Sequence, residues 1–279
     1  MTRFLVVPQW QGSSSSRAMQ LVDGATAIAG DLPRSACVSV EVPMEAGESL
    51  DSGVHRLSAL QRVAALQLQA LSEMGAHDID ADAVLTIGGD AGVATTAALA
   101  ATGAAQGALE PGTAVVWFSA HAGFHDPGTS PGGAYDTMAL RALVDAAAPR
   151  AAEVSIAAHR VVLAGVRDIH PAEQAAIDRL GIRVVFADAF TPRALVEAVG
   201  DATGLFLHVG LDVLDPAAMS GISSPEPFGP DVAALTAAIA ALREVAALRG
   251  AAVTEFSPPS PAEAINDLGA ILRIVGALT

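Results

Sequence analysis

Residues 115–123 read Val115-Val116-Trp117-Phe118-Ser119-Ala120-His121-Ala122-Gly123. The unbroken apolar run suits a strand covered on both faces, and the small and polar residues after it suit a loop leaving its carboxyl end. Together with 113–118, short apolar runs recur at 4–7, 37–42, 83–87, 160–164, 182–186, 204–211 and 251–256. Alanine- and leucine-rich amphipathic stretches separate them, at about 15–29, 54–74, 92–104, 135–147, 171–180, 192–199, 231–248 and 263–277. Pro171 stands at a helix start, where its missing N–H costs nothing, and Asp231 is placed to cap the next long helix. The alternation predicts a three-layer α/β/α fold with a mostly parallel sheet of about eight strands. No internal repeat or long linker divides the chain, so one domain is expected over 1–279. The serine run 13–16 reads as a loop and helix start.

Bulk properties narrow the functional classes. The net charge is −15 and aromatic residues make up 4% of the chain. Such a chain repels nucleic acid and anionic membranes and offers few rings for base stacking, so neither is an expected partner. A cytoplasmic protein is expected. The single cysteine, Cys37, permits no intrachain disulfide and reads as a small core residue. The long apolar stretches carry Arg243 and Glu244, or Asp267 and Arg273, so no membrane span is expected.

Chemistry gathers at the strand ends. In 119–123, alternate residues share a face if the extended backbone continues, grouping Ser119, His121 and Gly123. His208-Val209-Gly210-Leu211-Asp212-Val213-Leu214-Asp215-Pro216 groups residues 208, 210 and 212 in the same way. Leu85-Thr86-Ile87-Gly88-Gly89-Asp90-Ala91 is a strand followed by a glycine turn, with Asp90 expected to stabilise that turn. Glu255 ends the run 251–256, and Gly165-Val166-Arg167-Asp168-Ile169 ends another, where Arg167 and Asp168 suit a structural ion pair. His55 and His77 flank a predicted helix and read as surface groups.

In order and spacing, these segments resemble the arginase, agmatinase and formiminoglutamase (ureohydrolase) family from about residue 83 to 258. Pro127, Thr129, Ser130, Pro131, Gly133 and Met138 extend the likeness through the loop after His121. That family holds two manganese ions with two histidines and four aspartates. The resemblance places those six ligands at Ala91, Ser119, His121, Gly123, Gly210 and Asp212, of which His121 and Asp212 alone keep a ligand side chain. His125 falls where an asparagine helps bind substrate, Asp136 where a histidine assists catalysis, and Glu255 where a glutamate contacts the guanidinium. Asp215 is implied to tie down its own loop.

Two divalent ions about 4 Å apart repel by about 15 kcal/mol at an effective dielectric of 20, which four carboxylates normally offset. With Asp212 alone left of the four, a standard paired-manganese site is not expected. No cofactor is the leading expectation, with at most one divalent ion, manganese or zinc, as the alternative. For that ion, His121 and Asp212 with either His125 or His208 could form a three-ligand set, or these residues could simply line a polar cleft. The resemblance thus implies an arginase-like protein with a degenerate metal site. It would be a pseudoenzyme, binding a small guanidino or amino-acid-like ligand or serving as a partner subunit. The alternatives are a C–N hydrolase using one metal or a non-standard site, with Asp136 and Glu255 as candidate catalytic groups, and a structural subunit. A homo-oligomer, trimeric or hexameric, is implied by the family.

Overall fold

The computed structural model describes residues 2–78, 81–107 and 112–279. Eight strands form one sheet: β1 (Arg3–Val7), β2 (Cys37–Ser39), β3 (Val84–Gly88), β4 (Thr113–Phe118), β5 (Val161–Val166), β6 (Arg183–Phe186), β7 (Gly204–Gly210) and β8 (Ala247–Thr254). They lie in the order β2-β1-β3-β8-β7-β4-β5-β6, and every neighbouring pair is parallel. The helices are α1 (Gln20–Gly30), α2 (Leu57–Glu73), α3 (Gly92–Ala101), α4 (Ala139–Val144), α5 (Pro171–Leu180), α6 (Pro192–Val199), α7 (Val232–Val245) and α8 (Ile265–Leu278).

Period-two alternation sends each central strand into two cores. On β4, Val115 and Trp117 join the core beneath α2–α5, while Ala114, Val116 and Phe118 join the core beneath α1 and α6–α8. The layering follows from crossover hand. Connections running along the sheet toward β6 carry α2–α5, and those running back carry α1, α6 and α7, so one hand of crossover puts the two sets on opposite faces.

The sequence boundaries shift where packing overrides propensity. β2 is shorter than the expected 37–42 because it is an edge strand with one neighbour. Cys37 is half-buried at its start rather than within the core. β8 begins at Ala247, inside the stretch expected to continue the preceding helix, because its pairing with β7 extends to Gly204. The helix expected at 135–147 is a 3-10 turn, Tyr135–Met138, followed by the short α4. The caps at Pro171 and Asp231 form as the sequence suggests, Asp231 accepting from the Ala234 amide. Among the described residues, no helix is long and apolar enough to cross a membrane.

Candidate functional site

The carboxyl ends of five adjacent strands, β3, β8, β7, β4 and β5, open into one cleft of about 250 Å³. Carboxyl-end crevices are where parallel sheets place ligands. Ala91 follows β3, Glu255 follows β8, and His208 and Asp212 come from β7 and its end. Ser119, His121 and Gly123 follow β4, and Asp168 follows β5. His125 and Asp136 also line the cleft, so the candidate residues named from sequence meet there, except that Gly210 lies behind Asp212.

On the wall built by β3 and β8, every carboxyl is tied to protein donors. Asp90 is fully buried and accepts from Gln9 Nε2 (2.8 Å), the Gly12 amide (2.8 Å) and the Gly92 amide (2.9 Å). Burial nevertheless pushes its pKa up to about 7. It stabilises the turn, as expected. Gly89 is required there by close approach, since a Cβ would stand 1.9 Å from the Gln9 carbonyl oxygen. Glu255 accepts from the Ala91 amide (2.8 Å) and pairs with the Ser223 hydroxyl. Its backbone is left-handed at φ 70°, a conformation that costs a non-glycine residue on the order of 1–3 kcal/mol and tends to occur at functional sites. Burial, with Asp136 and Asp212 nearby, raises the Glu255 carboxyl well above the usual range. Asp136 is raised by burial as well, although Ser14 donates to it from both amide (2.7 Å) and hydroxyl (2.9 Å).

The wall built by β4, β5 and β7 carries the opposed charges. Asp212 Oδ2 accepts from Ser119 Oγ (2.6 Å) and the Ala120 amide (2.9 Å), while its buried Oδ1 has no partner. A Cβ on Gly210 would stand 2.4 Å from that Oδ1, so the carboxylate occupies space a side chain at 210 would need. His121 Nδ1 lies 3.1 Å from Asp168 Oδ2, and Nε2 lies 3.1 Å from the Ser224 carbonyl oxygen. Both partners only accept, so both bonds form together only when both ring nitrogens carry hydrogen. Partial burial works against that charge, but Asp212, the Ser224 carbonyl and Asp168 outweigh it and raise the His121 pKa. His208 is a core residue only in part: Nε2 meets Thr254 Oγ1 at 2.8 Å and the ring packs on Trp117, but the buried Nδ1 is unpartnered. Burial depresses its pKa to about 3, so it is neutral.

Three residues gain roles that their sequence context hid. The ligand atoms of His121, Asp168 and Glu226 lie within 4.8 Å of one another, and among the described residues this is the one such His/Cys/Asp/Glu group of metal-binding size. Neither three-ligand set expected from sequence is gathered in that way. Glu173, in the first turn of α5, is buried in the cleft wall and accepts from the Phe124 amide (2.8 Å) and the His170 amide (3.0 Å). His125 Nε2 stands 3.5 Å from it. The Pro171-Ala172-Glu173 spacing signalled a helix start, not a cleft residue.

The expected Arg167–Asp168 ion pair is replaced by a different arrangement. Asp168 faces His121, and the Arg167 guanidinium donates to the carbonyls of Gly165, Asp212, Val213, Leu214, Glu226 and Pro227. Planar, many-pronged donation of this kind suits arginine and ties the end of β5 to the segments at 212–214 and 226–227. Asp215 ties its own loop, accepting from Ala217 and Phe228 amides. His55 and His77 are exposed.

The Arginase family model matches residues 12–274. The chain belongs to the arginase family. Its fold is similar to that of Entamoeba histolytica arginase in complex with L-ornithine (TM-score 0.81, 19% identity, covering 99% of this chain and 97% of that one). Arginase from Bacillus caldovelox is similar at TM-score 0.79 and 22% identity, covering 99% and 97%. Proclavaminate amidino hydrolase from Streptomyces clavuligerus matches at TM-score 0.67 and 22% identity, covering 99% and 89%. None of the curated proteins matches the chain in sequence. This arginase-family chain therefore shares the fold of those proteins, and its cleft lies at the carboxyl edge of its parallel sheet.

Proposed function

We propose that this arginase-family protein does not hold the family's paired manganese ions and uses the cleft to bind a small cationic ligand, guanidino or amino-acid-like, without Mn-dependent ureohydrolysis. The observation that carries the reading is the donor set. Ala91, Gly123 and Gly210 offer no ligand atom from their side chains, and Ser119 donates its hydroxyl to Asp212. His121 turns both ring nitrogens to oxygen acceptors other than Asp212. Manganese wants several carboxylate and imidazole donors in a near-octahedral shell, and two ions need bridging carboxylates that positions 119 and 210 lack. The residues present do not fit a paired centre.

The cleft is nonetheless acidic. Asp136, Asp168, Asp212, Glu173 and Glu255 line it and Asp212 Oδ1 lacks a donor, which favours a ligand bearing N–H groups and positive charge. The Entamoeba histolytica arginase holds L-ornithine, a ligand of that class. Within this reading, His125 and Glu255 contact the ligand and Asp136 lies beside it. The protein forms one domain over 1–279, is cytoplasmic and assembles as a homo-oligomer, a trimer or hexamer. The test is calorimetry with ornithine, arginine and agmatine, beside urea release after manganese loading. Saturable binding without urea release is expected. Urea release that depends on manganese contradicts the reading.

A second reading, a C–N hydrolase with one metal, is favoured by one observation: the His121, Asp168 and Glu226 group. It requires hydrolysis of a guanidino or amidino compound by the wild-type chain that disappears with Asp168→Asn.

A further inference from the structure

We infer that the open edge of β2 and the adjoining face of α2 form a docking groove for an extended, lysine- or arginine-bearing peptide strand of a partner protein. The groove, of about 610 Å³, runs between the segment 38–45 and α2 and shares no lining residue with the cleft. β2 pairs with β1 alone and ends the sheet. The Val40 amide donates to the Val6 carbonyl (2.9 Å), so strand alternation turns the backbone groups of Ser39 and Glu41 away from β1, toward the free edge. Such an edge is a template for one more strand.

The side chains beside this edge suit a contact surface. Of the nine large apolar side chains left exposed among the described residues, three line the groove: Val38 (45% exposed), Met44 (69%) and Leu66 (37%). Buried Val40 and half-buried Ala70 extend the apolar floor. Exposed apolar surface rimmed by polar residues marks an interaction site. The segment is also anchored, since Gln11 Nε2 donates to the carbonyls of Pro43 (2.6 Å) and Glu45 (3.3 Å). Pro43 has no N–H to offer and ends the usable edge, so the added strand pairs along 37–42.

Charge selects the occupant. Among the described residues lining the groove, Glu41, Glu45 and Glu73 outnumber the one base, Arg62. A second copy would bring the same glutamates to the edge, on a chain of net charge −15, and like charges facing across paired strands are destabilising. A strand alternating cationic and apolar residues instead sets its charges against the glutamates and its apolar side against Val38, Leu66 and Ala70.

Fluorescence anisotropy of the full chain with a labelled octapeptide alternating lysine and valine tests this, beside an octapeptide alternating glutamate and valine. The variants are Glu41→Lys with Glu45→Lys, which reverses the rim charge at two exposed positions, and Ser39→Pro, which removes an outward N–H. Circular dichroism verifies that each is folded, and the charge reversal and the exchange data decide the question if Ser39→Pro does not fold. Saturable binding of the lysine peptide is expected, weakened at least tenfold by each variant, with no binding of the glutamate peptide. Amide exchange at Ser39 and Glu41 slows at least tenfold in the complex, which loose attraction to an acidic surface would not produce. Absence of saturable binding overturns the inference, as does binding that both variants leave unchanged or that gives no protection at 39 and 41. A wild-type dimer that Ser39→Pro dissociates would assign the edge to a second copy and overturn it too.

Discussion

The two walls of the cleft differ in how they deal with charge. On the β3 and β8 wall, Asp90 and Glu255 have their oxygens occupied by protein donors, and burial raises both carboxyls toward the neutral form. On the β4, β5 and β7 wall, His121 faces Asp168 while Asp212 keeps an oxygen unpartnered. On the first wall, Asp90 is fully satisfied and serves stability. The second keeps an unpartnered carboxylate oxygen, so a cationic ligand has most to gain there, opposite the Glu255 that the first wall presents to the cleft. Polar groups satisfied internally at one end of a cleft leave the other end to respond to cations.

The contrast can be broken in several ways. The largest effect is expected for Asp90→Ala, which leaves buried donors from Gln9, Gly12 and Gly92 without an acceptor. A loss on the order of 3–5 kcal/mol in denaturant unfolding is expected. A loss below about 1 kcal/mol would show that the first wall is not a stability element.

The second test uses pH. Asp90 titrates near 7 in the folded protein and at the usual carboxylate value of 3.8 when unfolded. Between those values the folded state holds the extra proton, so stability falls as pH rises from about 4 to about 7. The contribution is on the order of 2–4 kcal/mol, and Asp90→Asn should flatten it. Glu255, raised as well, adds to the same slope. An unchanged slope in Asp90→Asn would mean that Asp90 ionises freely in the fold.

Third, Gly210→Ala places a Cβ 2.4 Å from Asp212 Oδ1 and should destabilise by about 1–3 kcal/mol as Asp212 is forced aside. Tolerance of this substitution would show that Asp212 moves without cost. The smallest effect on stability belongs to Asp168→Asn, below about 1 kcal/mol because the pair is partly exposed. Its signature is instead a lowered His121 pKa in NMR titration, since Asp168 helps to raise it. No change there would remove Asp168 from the charged wall.

Much of this was legible in the sequence. The eight strands announced themselves because burial on both faces demands continuous apolar runs, and 113–118 and 204–211 lie within a residue of β4 and β7. The strand-end motifs placed Ala91, Ser119, His121, Gly123, Asp212 and Glu255 in one cleft because parallel strands bring their carboxyl ends to one edge. Side-chain direction was not legible. His121 turns toward Asp168 and Ser224 rather than toward a set with Asp212 and His125 or His208, and adjacent positions in sequence do not reveal which loop lies opposite. Glu173 and Glu226 were missed for the same reason, since a helix first turn and a proline-rich loop conceal their inward or cross-loop roles. β8 was misplaced at its start because residues 247–250 follow an alanine-rich helix without a proline or an early glycine break.

The central claim, that the fold persists without the paired manganese centre, is tested most directly by counting metal. The full chain is loaded with excess manganese, then with excess zinc, freed of unbound ion, and its metal measured by elemental analysis against protein concentration. The prediction is at most one ion per chain. Two manganese ions per chain, retained through removal of free metal, would contradict it.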